Sequence, residues 1–185
     1  MKHMLIPLAI GLGLASSTAF AAEAGRGSIN FYGQINSGSC PIEIIDPSTG
    51  LPVARINMGN VNAAQFGNVG AEAAQRTFGM RLTPGGCSVQ ANQSALVTFT
   101  GAYGGAGAGG TLYALEPVLG SATNLALVIR DSKGKPIFNG QQSNAFPIDA
   151  TDPTTIIFSA AYQSTGAPVS AGSANTDVAF VVDIQ

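Results

Sequence analysis

Histidine, tryptophan and charged residues are scarce in this chain. It has one histidine, His3, and no tryptophan, and only 10% of its residues are charged, where about 25% is usual. The near absence of histidine removes the commonest general base and metal ligand, and with it Ser–His and Cys–His nucleophile pairs. The lack of tryptophan weakens a sugar-binding interpretation. These absences argue against an enzyme and against a bound cofactor or metal.

The few remaining charges offer little chemistry. Beyond the first 21 residues there are seven basic side chains, scattered rather than clustered, so nothing follows a phosphate backbone and we expect no nucleic-acid partner. Asp149 and Asp152 are close enough in sequence to form an acid/base or calcium pair. Because Pro153 follows them, a turn is the favoured interpretation.

Residues 1–21 have the pattern of an export signal. Lys2 gives a positive start, residues 4–15 are apolar, and residues 19–21 read Ala-Phe-Ala, a typical cleavage site. The apolar run is too short for a membrane-spanning helix, which needs roughly 20 residues. We therefore expect an exported mature chain of residues 22–185 that forms one domain and does not insert into a membrane.

Two cysteines, Cys40 and Cys87, remain after the leader. In an exported chain, two cysteines most simply form one disulfide. Two thiols without a histidine make only half a metal site, so the metal-binding interpretation is poor.

Most of the chain has the pattern of short β-strands. Segments rich in Val, Ile, Phe and Thr are separated by turn-forming residues, and they predict strands at 42–45, 53–58, 76–82, 95–100, 125–130, 136–138, 154–162 and 177–184. Residues 131–134 predict a hairpin turn, residues 104–110 a flexible glycine loop, and residues 63–75 a loop with one helical turn. Many strands joined by Gly, Pro and Asn predict a β-sandwich.

The segment from Gly25 to Asn36 alternates without a break. Its odd positions are small or apolar and its even positions are polar, and the odd series is Gly25, Gly27, Ile29, Phe31, Gly33 and Ile35. Side chains on a strand point to opposite faces with a period of two. This strand must pair either with its own sheet or with another molecule.

A second alternating segment ends the sequence, with one apolar face formed by Val178, Phe180, Val182 and Ile184. Because this segment runs to the last residue, we expect nothing later in the chain to pair with its far side. An immunoglobulin-like sandwich that stops there leaves an apolar groove and unpaired backbone groups. A strand from a second copy would fill the groove. The alternative is that both segments are ordinary strands of a complete sandwich.

Several motifs in order resemble the structural subunits of chaperone–usher fimbriae, the type 1-like pilins. Five features each match a pilin motif. They are the N-terminal alternation that leads to Cys40, Met58-Gly59 with Val61, Cys87, Gly172, and residues 174–180. The resemblance covers the whole mature chain. It departs at Ile184, where the family usually has tyrosine.

The resemblance implies an all-β, incomplete immunoglobulin-like fold that lacks its seventh strand. Residues 22–32 would be a donor-strand extension and residues 33–185 the pilin domain, with partners that include neighbouring subunits, a periplasmic chaperone and an outer-membrane usher. The donor residues would be Gly25, Gly27, Ile29 and Phe31, and the acceptor and chaperone-binding residues Val178, Phe180, Val182, Ile184 and Gln185.

By the same resemblance, the fibre would be extracellular and would serve adhesion and biofilm formation. Two other functions stay open. One is a secreted immunoglobulin-like binding module or carbohydrate-binding adhesin domain, and the other is a hydrolase that depends on Asp149 and Asp152.

Overall fold

The computed structural model describes residues 40–185 and the backbone of residues 28–33. The predicted signal peptide, Gly25 and Gly27 lie outside the described residues. The strands are β1 Ser28–Gly33, β2 Ile42–Ile45, β3 Arg55–Asn57, β4 Glu72–Leu82, β5 Ser94–Gly101, β6 Gly105–Ala106, β7 Leu112–Ala114, β8 Leu125–Asp131, β9 Pro136–Ile137, β10 Phe146–Pro147, β11 Thr154–Ser164 and β12 Thr176–Ile184. Three short 3-10 helices occupy Ala63–Gln65, Pro84–Gly86 and Ala108–Gly110.

The strands form two sheets that enclose one core, as the sequence predicts. Sheet A has the order β10-β5-β12-β1-β3, and sheet B has the order β2-β4-β11-β8-β7-β6 with β9 beside β8. The two sheets meet in an aromatic cluster, where Phe99 of sheet A lies 5.2 Å from Phe158 of sheet B between ring centroids. Phe78 and Phe146 also contact Phe158, at 5.5 and 5.4 Å.

The sandwich has two ends. At the first pole β11 ends and β4, β8 and β12 begin, so that Ser164 pairs with Leu125 and donates to the carbonyl of Ala71. At the second pole β4 ends and β2 begins, with Ile42 paired to Leu82. The segment between β11 and β12 therefore lies at the first pole, and Cys40 lies at the second.

Strand β4 begins four residues before the predicted start because its alternation is broken by a bulge. Arg76 pairs with Ala160, whereas Ala73 pairs with Tyr162, and Ala74 has a positive φ of 59°. An extra residue in one strand shifts the side chains to the other face. A search for strict alternation therefore finds only the part of β4 beyond the bulge.

The glycine segment 104–110 was predicted as a flexible loop, and this is wrong in part. Gly105 and Ala106 form β6, paired with Tyr113 and Leu112. A Cβ on Gly105 would lie 2.2 Å from the carbonyl oxygen of Gly110. The glycines there permit a close return of the backbone rather than free movement.

Candidate strand-acceptor site

Strand β12 presents the apolar row that the sequence predicts. Val178 and Phe180 are buried in the core, and Val182 and Ile184 are half-buried and pack against it. The intervening residues face outward, and Val181 is 54% exposed. The period-two pattern therefore assigned the correct face to all four residues.

Thr176 also belongs to this row, although the sequence analysis did not single it out. It is buried, and its hydroxyl donates a 2.6 Å hydrogen bond to the carbonyl oxygen of Ala114. This bond satisfies a polar group that would otherwise be costly to bury. Extending the alternation back by two positions from Val178 would have found it.

One edge of β12 is fully paired within the chain. Val178 lies opposite Gly101 of β5, and the antiparallel pairing continues to Ile184 opposite Ala95. Gln185 then exchanges two backbone hydrogen bonds with Ser94, of 2.8 and 3.0 Å. The predicted acceptor residues, Val178 to Gln185, are thus all paired with β5 on this side.

The other edge of β12 is paired with the chain's own β1. Ile29, Phe31 and Gly33 lie at the register positions of Thr176, Val178 and Phe180. The structure therefore brings the backbone of one predicted donor residue, Phe31, next to one predicted acceptor residue, Val178, within one chain. Of the two pairings that the N-terminal alternation left open, this is pairing with its own sheet.

The pairing between β1 and β12 is parallel. Every other adjacent pair of strands that the structure describes is antiparallel. Parallel pairs are slightly less stable per residue. The pairing of β1 with β12 is thus the one parallel pair among the described strands.

Strand β1 covers only the first half of the acceptor edge. Its pairing stops where Gly33 meets Phe180, and among the described residues no strand lies on that side of Val181–Ile184. Val182 and Ile184 are only half-buried at this end of β12. An edge that has no neighbouring strand among the described residues can accept a longer strand.

An apolar cavity of about 300 Å³ lies at the first pole, beside the segment that leads into β12. It is lined in part by Val61, Phe66, Ala122, Val169 and Ala174. Tyr162, which also lines it, donates a 2.5 Å hydrogen bond to the carbonyl oxygen of Ala174. Burial raises the pKa of Tyr162 to about 12, so its hydroxyl remains a donor at neutral pH.

The predicted disulfide is present between Cys40 and Cys87, with 4.7 Å between the Cα atoms. It joins the residue two positions before β2 to the end of the turn Pro84–Gly86. The second pole is thereby closed by a covalent bond.

The two aspartates that could suggest chemistry form a turn. Asp149 accepts hydrogen bonds of 2.8 and 2.9 Å from the backbone of Thr151 and Asp152. These bonds, that from Asp152 first, lower the pKa of Asp149, so it stays a carboxylate and does not serve as a proton donor at neutral pH.

Within residues 28–33 and 40–185, no group of three or more His, Cys, Asp or Glu side chains is placed to hold a metal ion. A search of the same residues for a membrane-crossing helix of sufficient length and apolarity finds none.

Comparison with known proteins gives a consistent result. The sequence model of the family described as "Fimbrial protein" matches residues 29–185. The type-1 fimbrial protein A chain of Escherichia coli strain K12 is 28% identical over 188 residues, which covers 100% of this chain and 99% of the relative.

Two solved structures are also similar. The antigen and type I fimbria protein BPSL1626 of Burkholderia pseudomallei is 28% identical, with a TM-score of 0.52 over 86% of this chain and 92% of that one. A chaperone-usher pilus structure is 16% identical, with a TM-score of 0.59 over 90% of this chain and 100% of that one. This second likeness shows a shared fold.

Proposed function

The chain belongs to the fimbrial protein family, and we propose that it is a structural subunit of a chaperone–usher pilus that polymerises by donor-strand exchange. It has the immunoglobulin-like sandwich of pilins, and its relatives are fimbrial proteins rather than enzymes. The observation that carries the proposal is the acceptor edge of β12, which β1 fills only in part and in the parallel sense.

The short segment between Gly33 and Cys40 limits the direction in which β1 can run beside β12. The seven residue steps from Gly33 to Cys40 span at most roughly 25 Å. Strand β4 runs from one pole to the other with eleven residues, a distance of roughly 35 Å. If β1 ran antiparallel to β12 beside Thr176–Phe180, its last residue, Gly33, would lie beside Thr176 at the first pole. Cys40 lies at the second pole, too far away for seven residue steps to connect the two.

A strand from a second copy has no such limit. It can run antiparallel to β12 along the whole edge from Thr176 to Ile184, and it then lies parallel to β3, with which β1 is now antiparallel. The gain is the longer pairing, which covers the nine residues of β12 where β1 covers five, and the burial of the apolar surface beside Val182 and Ile184. Exchange of the chain's own β1 for a neighbour's strand is therefore favourable.

In the exchanged state, residues 22–32 of one copy form the donor strand and residues 33–185 of the next form the acceptor domain. Ile29 and Phe31 fill the groove beside the row of Val178 to Ile184. Gly27 occupies a position where the groove is too narrow for a side chain, and Gly25 precedes it in the same donor strand. Residues 1–21 are removed as the signal peptide.

A periplasmic chaperone lends the missing strand before assembly, and an outer-membrane usher exchanges it for the next subunit's donor. The carboxylate of Gln185 is held by basic chaperone residues. The resulting homopolymer leaves through the periplasm and forms an extracellular fimbrium that serves adhesion and biofilm formation. The resemblance to type 1-like pilins supports each of these steps.

The experiment that tests this proposal removes the strand and returns it as a peptide. A mature chain without residues 22–33 should be less stable to urea by at least about 3 kcal/mol, because the apolar row of β12 loses the strand that pairs with Thr176–Phe180. A peptide of residues 22–36 should restore the stability, whereas the same peptide with Phe31→Asp should not. A truncated chain as stable as the parent would contradict the proposal.

A further inference from the structure

The turn of residues 116–121, here called the Leu119 turn, exposes two apolar side chains at the first pole. Val118 is 48% exposed and Leu119 is fully exposed. The turn is closed by its own hydrogen bonds, since Ser121 donates from its backbone nitrogen to Val118 at 3.0 Å and from its hydroxyl to Glu116 at 2.6 Å. Leu119 is thus presented to solvent by an ordered turn.

The Leu119 turn is also fixed to the segment that leads into β12. The backbone of Glu116 donates to Asn175 at 2.8 Å, and Ser173 donates to Gly120 at 2.9 Å. Gly172 approaches so closely that a Cβ there would lie 2.5 Å from the carbonyl oxygen of Gly120. Folding therefore does not require Leu119 to be apolar, and two adjacent apolar side chains, Val118 and Leu119, are exposed on a rigid support.

The apolar cavity lies at the same pole as the Leu119 turn. Ala122, which follows the Leu119 turn, is one of the residues that line the cavity, together with Val169 and Ala171 from the segment before β12. An exposed leucine, an adjacent valine and an open apolar recess therefore share one end of the sandwich.

The position of the donor's own body follows from the length of its chain. A donor strand that runs antiparallel to β12 ends beside Thr176, at the first pole. Only residues 34–39 separate Gly33 from Cys40 in the donor, so its Cys40 lies within roughly 25 Å of that point. The second pole of the donor, which carries Cys40, must then face the first pole of the acceptor.

We propose that the Leu119 turn is the body-to-body contact between successive copies of this chain, docked against the second pole of the copy whose strand fills the groove. This inference rests on the proposed polymerisation and adds a surface to it. The contact is head to tail, which builds an open filament where the rotation between successive copies does not close into a ring.

The second pole suits an apolar contact. Its residues 83–92 contain no charged side chain, and the nearby pair Arg81 and Glu43 is already joined at 2.6 Å. Docking Leu119 on residues 83–92 buries no charge from that segment, whereas Asp149 and Asp152, which precede β11 at the same pole, must stay outside the contact because an unpaired charge is costly to bury.

A matched pair of variants tests the contact. Leu119→Asp should leave the urea unfolding of the monomer unchanged but lengthen the half-time of polymerisation at least about tenfold, because a buried leucine contact is lost. Phe138→Asp, which changes a phenylalanine that is 42% exposed directly after β9 and away from both poles, should polymerise like the parent. Normal polymerisation of Leu119→Asp, or equal loss in both variants, would overturn the inference.

A cross-linking variant tests the same contact independently. It also decides the question if Leu119→Asp does not fold. In polymers of Leu119→p-benzoylphenylalanine, light should join position 119 to residues 40–42 or 83–92 of another copy. Cross-links only to other segments, or none between copies, would overturn the contact. A parent chain that never polymerises would instead overturn the proposed function itself.

Discussion

The hydroxyl of Tyr162 in sheet B donates a 2.5 Å hydrogen bond to the carbonyl oxygen of Ala174, two residues before β12 of sheet A. The bond joins the two sheets at the first pole. It fixes the point from which the acceptor strand begins, and so connects the core to the groove.

Tyr162→Phe should lower the free energy of unfolding at pH 7 by about 1–3 kcal/mol, because the carbonyl of Ala174 loses its partner. The pKa of Tyr162 is raised from 10.0 to about 12 in the folded chain. Its contribution is therefore fully present below pH 10 and is lost as the pH rises through about 12.

Urea unfolding of the parent and of Tyr162→Phe at pH 7, 10 and 12 measures the contribution of this hydroxyl to stability. The stability difference between parent and Tyr162→Phe should shrink between pH 10 and 12. A difference that stays constant over that range would contradict the assigned role of the hydroxyl.

Gly172→Ala should destabilise the first pole by about 1–3 kcal/mol, since its Cβ would lie 2.5 Å from two backbone atoms that cannot move aside easily. Gly67→Ala is the matched control, because no atom lies within 4 Å of the Cβ it would add. Thermal unfolding of the two variants should separate them. Equal stability would mean that the segments at 120–122 and 172 adjust freely.

Phe158→Ala should cost about 3–5 kcal/mol, because Phe158 contacts Phe78, Phe99 and Phe146 between the sheets. Phe138→Ala removes a phenylalanine that is 42% exposed and should cost much less. The free energies of unfolding of the two variants in urea test the position of the core. A small loss for Phe158→Ala would place the main core elsewhere.

Reducing the Cys40–Cys87 disulfide, or replacing both residues by alanine, should lower stability by roughly 4 kcal/mol on the loop-entropy account. The two cysteines are 47 residues apart. Denaturant unfolding of the oxidised parent and the double variant measures the effect. Equal midpoints would show that the disulfide does not restrain the unfolded chain.

The sequence predicted the sandwich well where alternation is regular. Strand β2 has the predicted bounds, and β12 and β11 differ from prediction by one and two residues at one end. The turn at 131–134 forms as predicted, with Gly134 donating to Asp131 at 3.0 Å. Strands β6, β7 and β10 were missed because two or three residues are too few to show alternation, whereas the equally short β9 was found because it follows the predicted turn at 131–134.

At the acceptor site, the alternation of apolar residues identified the buried face of β12. It did not identify which strand pairs with the edge of β12 that faces away from β5. Alternation in residues 25–36 indicates a strand and is silent on whether that strand pairs within the chain or with another copy. The direction of β1 depends on the distance from Gly33 to Cys40, which only the fold reveals. The unusual Ile184 still packs against the core, so it preserves the apolar row without the usual tyrosine.

The most direct test of donor-strand exchange compares polymers of the mature chain with those of a variant that lacks residues 22–31, on SDS gels with and without boiling. The parent should give a ladder that disappears on boiling. The variant should give none alone and should shorten the parent's ladder when mixed with it, because it can accept a strand but cannot donate one. A variant that forms a ladder like the parent's, or a parent that remains a monomer with β1 in its own groove, would contradict the account.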